Sequence, residues 1–284
     1  MSSGQKHPTS AYEFNTLRTA LADGILEIVL SRPGTRNAMS HEMEREISAA
    51  LDRAELDPDV AAVMVRGDGE IFSAGHDLKE QYGGRPFTEE GFPEASPSIP
   101  PTLPRAWYFR KPLISGVHGY VGPAAIGLVA CSDFIIAATG TRFGCEMYRG
   151  RGARPAMEWL PLYVQLPMRV VEKLFLLGGW MDAEQALQFQ FVQRVVPEDG
   201  LAKETRRWAE QAALIPSATF GHSKDQIRRA YELLGLAAIP ASLSRLRPPD
   251  SAPRVDFGKV LEEQGLRQAV RARDAGFDED VARV

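Results

Sequence analysis

The apolar positions in the first part of the chain follow a strand pattern, then a helix pattern, then a strand pattern again. GILEIVLSRP, residues 24–33, is rich in β-branched residues and stops at a proline, which predicts a strand. RNAMSHEMEREISAALDRAEL carries an apolar stripe at helical spacing after Ser40, a residue type that caps helices. DPDVAAVMVRG predicts a second strand that is apolar on both faces. This order indicates a βαβ unit in a parallel sheet.

The pattern continues and then changes to helices. KPLISGVHGYVG predicts a third strand at residues 113–117, PAAIGLVACS an apolar helix and DFIIAA a fourth strand. Residues 82–104 are dense in Gly and Pro and predict a loop. From Met168 onward the segments are mostly helical, and Asp182 is a candidate N-cap for DAEQALQF. We therefore predict an α/β first half and a helical second half.

Composition excludes several classes of protein. A chain of 284 residues with 44% hydrophobic content can bury a sizeable core, and its net charge of −4 argues against a nucleic-acid partner. Cys131 and Cys145 stand in no zinc-binding spacing and are expected to be free, buried thiols. The longest apolar stretch is interrupted by Ser132 and Asp133 and is too short to span a bilayer. We expect a cytoplasmic protein with no metal and no membrane contact.

Two small-residue turns lead from a predicted strand into a helix. One is SAGHD, residues 73–77, and the other is GYVGPAA, residues 119–125. Backbone N–H groups at such turns can face outward, and two of them together would form an oxyanion hole. Small residues also occur at such turns for close packing alone. Neither turn carries a dinucleotide or P-loop motif.

Several segments together carry a resemblance to a known family. RPGTRNAMS, FSAGHDLKE, KPLISGVHGY, RFGCE, LLGGWMDAEQALQFQFVQRVVP and EQGLRQAVRARDAGF occur in the order and spacing of the crotonase superfamily, the enoyl-CoA hydratases and isomerases. The resemblance implies the crotonase fold, with repeated ββα units in a spiral and a C-terminal helical region. On this basis we predict a spiral core over residues 12–197 and a helical region over residues 198–284, which packs on the core or on a neighbouring subunit. It also implies an acyl-CoA substrate, as in fatty acid metabolism, and a homotrimer or a dimer of trimers.

The resemblance assigns the two oxyanion-hole donors. The first is the backbone N–H of His76, which follows Ala74 and Gly75. The second falls on the backbone N–H of Ala124, in a turn where the family pattern is Gly-Gly-Gly and this chain has Pro-Ala-Ala. Proline at the preceding position removes its own donor only, so the hole can still form.

The same resemblance points to substrate-binding residues. Arg36 and Ala38 lie in TRNAMS, the segment that holds the CoA end in the family, and an arginine there can pair with a phosphate. Arg36 can equally be an ordinary surface arginine. Asp77 and Leu78 would flank the acyl and pantetheine path, although Asp77 is also a candidate helix cap.

The carboxylates decide which reaction is expected. Hydratases of the family use two glutamates, and the first of these positions is Gly127 here. The second falls on Met147 when counted without a gap and on Glu146 when one residue is deleted; we favour Glu146 because the chemistry needs a carboxylate. The imidazole of His76 is expected to shape the pocket wall rather than to act in catalysis.

One glutamate without the other favours proton transfer, as in an isomerase. The chain is therefore expected to be a lyase or isomerase that holds a thioester enolate in a backbone oxyanion hole, with no cofactor besides the coenzyme A of the substrate. A true enoyl-CoA hydratase with a relocated second acid/base, and an acyl-CoA-binding relative with weak catalysis, remain as alternatives.

Overall fold

The computed structural model describes residues 12–82, 102–149, 160–236 and 255–284. The strands in this part of the chain are β1 Leu17–Ala22, β2 Ile25–Leu30, β3 Ala62–Gly67, β4 Leu113–Val117, β5 Tyr120–Val121, β6 Phe134–Ala138, β7 Arg142–Gly144, β8 Trp180–Asp182 and β9 Arg194–Val196. The α-helices are α1 His41–Leu56, α2 Leu78–Tyr82, α3 Thr102–Trp107, α4 Pro123–Ala130, α5 Leu160–Gln165, α6 Met168–Leu176, α7 Ala183–Gln188, α8 Leu201–Ala213, α9 Ser217–Tyr231, α10 Phe257–Gln264, α11 Leu266–Asp274 and α12 Glu279–Ala282. Short 3₁₀ helices cover Pro33–Thr35, Glu146–Arg149 and Glu198–Gly200.

Six strands form the main sheet in the order β1-β2-β3-β4-β6-β9. β1 runs antiparallel to β2, and the other neighbouring strands are parallel. All four strands predicted from the apolar pattern lie in this sheet, so the prediction of a parallel sheet is confirmed. Their carboxyl ends meet at one edge, which is where the two glycine-rich turns begin.

Both faces of this sheet are covered. Within β3, Val63 and Val65 join the larger core cluster, which includes α1 and α4, whereas Met64 joins a smaller cluster under α8. Alternate residues of a strand point to opposite faces, so an uninterrupted apolar run is the pattern of a strand buried on both sides.

Both helix caps predicted from the sequence are present in the structure. The Ser40 hydroxyl accepts a hydrogen bond from the Met43 N–H at 3.2 Å and begins α1, as predicted. Asp182 forms a reciprocal capping box with Gln185 at the start of α7, which confirms the second predicted cap.

A second, three-stranded sheet was not predicted. It has the order β5-β7-β8, and two of its strands are only three residues long. The loop prediction was also wrong at its carboxyl end, because α3 begins at Thr102; residues 83–101 lie outside the described residues. Leu103 and Trp107 are buried on this helix, and such burial stabilises a short helix that propensity alone would not support.

Helix α8 packs on the main sheet, and α9 forms ion pairs with Asp133, which directly precedes β6. A Cβ on Gly116 of β4 would collide with Thr205 of α8, so glycine permits this close approach. Asp133 receives Lys224 of α9 at 2.7 Å and Arg228 of α9 at 3.4 Å, and all three side chains are largely buried. No helix in the described residues is long and apolar enough to cross a membrane.

Candidate active site

The two glycine-rich turns lie side by side. Ser73 pairs with Val121 in a parallel bridge: the Ser73 N–H donates to the Tyr120 carbonyl at 3.2 Å, and the Gly122 N–H donates to the Ser73 carbonyl at 2.8 Å. Two segments that are far apart in the sequence therefore run as neighbours into α2 and α4.

The turns touch through their backbones. A Cβ on Gly75 would lie 2.8 Å from the Pro123 nitrogen, and a Cβ on Gly122 would lie 2.7 Å from the Gly75 nitrogen. Gly75 also has φ of +87°, a left-handed conformation that glycine adopts without strain. Close packing and backbone conformation both require glycine here, so the packing interpretation of these small residues holds alongside any functional one.

The predicted donors each stand one residue beyond this contact. Ala124 is the second residue of α4, after Gly122 as N-cap and Pro123, so its N–H has no acceptor within its own helix. His76 forms a parallel bridge with Met39. In this bridge the Met39 N–H donates to the Gly75 carbonyl, and the Asp77 N–H donates to the Met39 carbonyl. In such a bridge the N–H of His76 itself points away from Met39. The two predicted donor residues therefore each follow directly on the contact between Gly75 and Pro123.

The TRNAMS segment packs against the first turn. The Arg36 carbonyl accepts from the Ala74 N–H at 2.9 Å, while the Arg36 side chain is exposed and its φ is +55°. Ala38 is buried, and its carbonyl accepts from Arg32 at 2.6 Å. Both predicted residues therefore lie next to the turn, Arg36 with its side chain in solvent and Ala38 with its side chain buried.

Asn37 is the residue of this segment that sequence reasoning missed. It is fully buried, and its side-chain amide donates to the Asp68 carbonyl at 2.7 Å and to the carbonyls of Ile71 and Phe72 at 3.2 Å. The backbone carbonyl of Asn37 accepts a hydrogen bond from the Ser73 hydroxyl at 2.7 Å. A buried amide with these partners fixes the segment on the turn. The sequence signal that could have indicated this role is the asparagine itself, which stands in a loop between Arg36 and Ala38.

Asp77 has structural partners. Its carboxylate pairs with Arg32 at 3.0 Å and accepts from the Glu80 N–H at 3.4 Å at the start of α2. This arrangement fits the helix-cap interpretation that the sequence left open. Leu78 opens α2 and is half-buried, and so is the His76 imidazole.

Glu146 opens the 3₁₀ helix after β7 and is buried. Its carboxylate accepts from the Tyr120 hydroxyl at 2.7 Å and from Arg142 at 2.6 Å. Tyr120 stands two residues before Gly122, so this contact links the carboxylate to the second turn. Burial raises the pKa of Tyr120 well above its ordinary value, and the Glu146 charge raises it further, so Tyr120 stays protonated and donates. The side chain of Met147, the competing position, lies outside the described part of the chain.

Tyr120 and Arg142 were not predicted as partners of Glu146. They face one another across the parallel pair β5–β7, whose register no short-range pattern encodes. Gly127, where hydratases carry their first glutamate, is buried within α4, and this helix has no charged residue from Pro123 to Ala130. Among the described residues, no three His, Cys, Asp or Glu side chains are grouped so that they could hold a metal ion.

Comparison with known proteins identifies the family of the chain. A family model for enoyl-CoA hydratase/isomerase matches residues 21–246. A Mycobacterium bovis protein named "Probable enoyl-CoA hydratase echA8" is 30% identical over 72% of this chain and 78% of its own. The mouse protein "Enoyl-CoA hydratase domain-containing protein 3, mitochondrial" is 29% identical over 78% of this chain and 75% of its own.

Solved structures agree on the fold. The crystal structure of an enoyl-CoA hydratase/isomerase from Xanthobacter autotrophicus Py2 superposes with a TM-score of 0.79 at 30% identity, covering 94% of this chain and all of that one. The fold is therefore the crotonase fold expected from the sequence motifs. With most of its length matched by the family model, this chain belongs to the enoyl-CoA hydratase/isomerase family, whose members are lyases or isomerases acting on acyl-CoA substrates.

Proposed function

We propose that this enzyme moves a proton on an enoyl-CoA thioester, as an isomerase does, with Glu146 as the single acid/base. The observation that supports the proposal is the backbone contact between Gly75 and Pro123, because His76 and Ala124, the proposed donor residues, each directly follow one side of this contact. Two N–H donors at one point can stabilise the negative charge that develops on a thioester oxygen.

In the proposed reaction the Glu146 carboxylate removes a proton from the α or γ carbon of the substrate. The electron pair of the broken C–H bond moves into the conjugated system and onto the thioester oxygen, which gives a dienolate held by the N–H groups of His76 and Ala124. Glu146 then returns the proton to the other carbon, the double bond shifts, and the carboxylate is regenerated. Nothing is oxidised or reduced, so the reaction uses no cofactor beyond the coenzyme A carried by the substrate.

The proposed substrate path runs along the residues of the first glycine-rich turn and of the TRNAMS segment. Ala74 and Gly75 would line the thioester with small residues, and Asp77 and Leu78 lie where the first turn enters α2. The exposed guanidinium of Arg36 and the adjoining backbone of Ala38 would meet the CoA end. A guanidinium in solvent is suited to a phosphate, because it can bind two oxygens at once.

Water addition is the second candidate, because relatives carry hydratase names. Against it stands the absence of a carboxylate at Gly127, since two groups are needed to hold and activate a water. A hydratase of this chain would need a second acid/base from another position. The two reactions give different products from one enoyl thioester and can be separated directly.

The test compares wild type with Glu146→Gln on 2-enoyl-CoA and 3-enoyl-CoA thioesters, with products separated by chromatography and deuterium uptake from D₂O followed in parallel. We expect wild type to interconvert the two double-bond positions and Glu146→Gln to lose about 10²–10⁴-fold in rate. Glu184→Gln, at an exposed glutamate of α7, is the matched control. A Glu146→Gln variant as fast as wild type would refute the role of Glu146, and a 3-hydroxyacyl product would support the hydratase instead. Binding of CoA thioesters without any turnover would support the weak-catalysis alternative.

We also propose a homotrimer or a dimer of trimers in the cytoplasm. Large apolar side chains are exposed on the monomer, among them Leu176 at 79% and Leu233 at 82%. Association that covers such residues removes apolar surface from water. Light scattering after gel filtration will give the mass; a monomer at micromolar concentration contradicts the proposal.

A further inference from the structure

The last residues of the chain return to the segment that carries Glu146. We call residues 274–284 the C-terminal segment. Its Val284 N–H donates to the Trp180 carbonyl at 2.9 Å, and Arg283 forms a parallel bridge with Trp180 and an ion pair with Asp182. The segment therefore docks along β8, at the edge of the second sheet.

Glu279 of this segment bridges two arginines. Its carboxylate accepts from Arg149 at 2.5 Å and from Arg142 at 3.0 Å. The same nitrogen of Arg142, Nη2, donates to Glu146 at 2.6 Å. One guanidinium thus joins the proposed acid/base to the C-terminal segment.

Arg149 explains why a carboxylate is needed here. Its side chain is 0% exposed, and its acidic partners among the described residues are Glu279 at 2.5 Å and Asp274 at 3.7 Å. Both acids belong to the C-terminal segment. A buried guanidinium without a counter-charge is strongly unfavourable, so this segment supplies the charge that the Glu146 helix requires.

Arg142 is held from several sides at once. Its guanidinium carbon lies 4.0 Å from the centre of the Trp180 ring, and its carboxylate partners among the described residues are Glu146 and Glu279. If Glu279 were neutral, Arg142 would keep Glu146 as its remaining charged carboxylate partner among the described residues. Arg142 is thus shared between the Glu146 and Glu279 carboxylates.

Docking of the segment does not depend on this contact alone. The Arg283–Asp182 ion pair and the Val284–Trp180 hydrogen bond hold the segment on β8 independently of Arg142. Loss of the Glu279 charge should therefore leave the segment bound while the contact to Arg142 changes.

We propose that the C-terminal segment is a positioning element for the acid/base, acting from Glu279 through Arg142 on Glu146. Glu279 and Arg142 are positioning residues, since each acts through Glu146. This inference rests on the proposed function of Glu146.

The experiment measures deuterium exchange at the reacting carbon of an enoyl-CoA thioester in the full-length enzyme. Glu279→Gln is expected to lower the maximal rate about tenfold with KM within about twofold, because a small displacement of a catalytic group slows the chemical step more than binding. Asp280→Asn is the matched control, because it removes the same charge from the same short helix and Asp280 forms no ion pair within the described residues. Glu279→Asp should recover part of the rate. If Glu279→Gln does not fold, Arg142→Lys replaces it, with the same split expected between rate and KM.

A double variant separates positioning from general destabilisation. In the Glu146→Gln background, Glu279→Gln should change the residual rate less than twofold, because its route to the substrate is gone. An equal fall in both backgrounds, or a Glu279→Gln rate equal to that of Asp280→Asn, overturns the inference. A Glu146→Gln enzyme as fast as wild type overturns the proposed function and this inference with it. Full activity of Glu279→Gln beside a slow Glu146→Gln overturns the inference alone.

Discussion

Gly122→Ala tests whether backbone contact between the two turns builds the site. Gly122 is the N-cap of α4 with φ of −80°, a conformation open to alanine, so the effect of the substitution is steric. The new methyl carbon would lie 2.7 Å from the Gly75 nitrogen and closer still to the Ala74 carbonyl, whereas ordinary contacts begin at 3.4 Å. The turns must therefore separate by roughly 1 Å.

This separation should affect both stability and rate. Overpacking against backbone atoms costs about 1–3 kcal/mol of unfolding free energy, and we expect the upper part of that range because backbone cannot rotate away as a side chain can. A shift of about 1 Å between two catalytic donors should lower the turnover number by about 100-fold.

Gly200→Ala is the matched control. Gly200 is the N-cap of α8 with φ of −87°, and a Cβ there meets nothing within 4 Å. Denaturant unfolding and turnover of an enoyl-CoA thioester are measured for both variants. The reasoning is refuted if Gly122→Ala matches Gly200→Ala in unfolding free energy and in turnover.

Three further predictions concern charge and burial. Asp133→Asn should cost about 3–5 kcal/mol in denaturant unfolding, because it leaves two buried cations without a carboxylate, whereas Asp225→Asn, at an exposed ion pair, should cost less than about 1 kcal/mol; equal costs would contradict this. The hydrogen bond from the buried Arg149 lowers the pKa of Glu279 below 4.5. The ionised Glu279 therefore stabilises the fold fully above pH 4.5, and this stabilisation is lost as the pH falls through the lowered pKa. The difference in unfolding free energy between wild type and Glu279→Gln should accordingly shrink in acid, and a difference that stays constant from pH 7 to pH 3 would refute the assignment. Burial raises the pKa of the Cys131 thiol to about 12 and that of Cys145 well above its ordinary value, so a thiol reagent at pH 8 should modify neither until the protein is denatured.

Four strands of the main sheet, β2, β3, β4 and β6, were predictable because their signals are local, whereas β1 and β9 were not predicted. The apolar run of β3 and the cap at Ser40 each act within a few residues of sequence. The second sheet was not predictable in this way. β7 and β8 are three residues long, and strands of this length are stabilised by their partners rather than by their own propensity.

In the candidate site, too, some features were predictable from the sequence and others were not. The sequence marks the two turns, since the left-handed φ of Gly75 and the close approach at Gly122 admit only glycine without strain. The family motifs also indicate Glu146. Its partners Tyr120 and Arg142 could not be read from the chain, because a hydrogen bond across paired strands depends on their register.

The sequence alone determined four strands of the main sheet, the helix caps at Ser40 and Asp182, the two turns and the absence of a second glutamate at Gly127, because backbone conformation and residue type are local properties. Only the tertiary structure decided that the two turns touch, that Asn37 fixes the TRNAMS segment on one of them, and that Glu279 reaches Glu146 through Arg142. The physical reason is that these contacts join segments 30 to 140 residues apart, and strand register and helix docking bring such segments together.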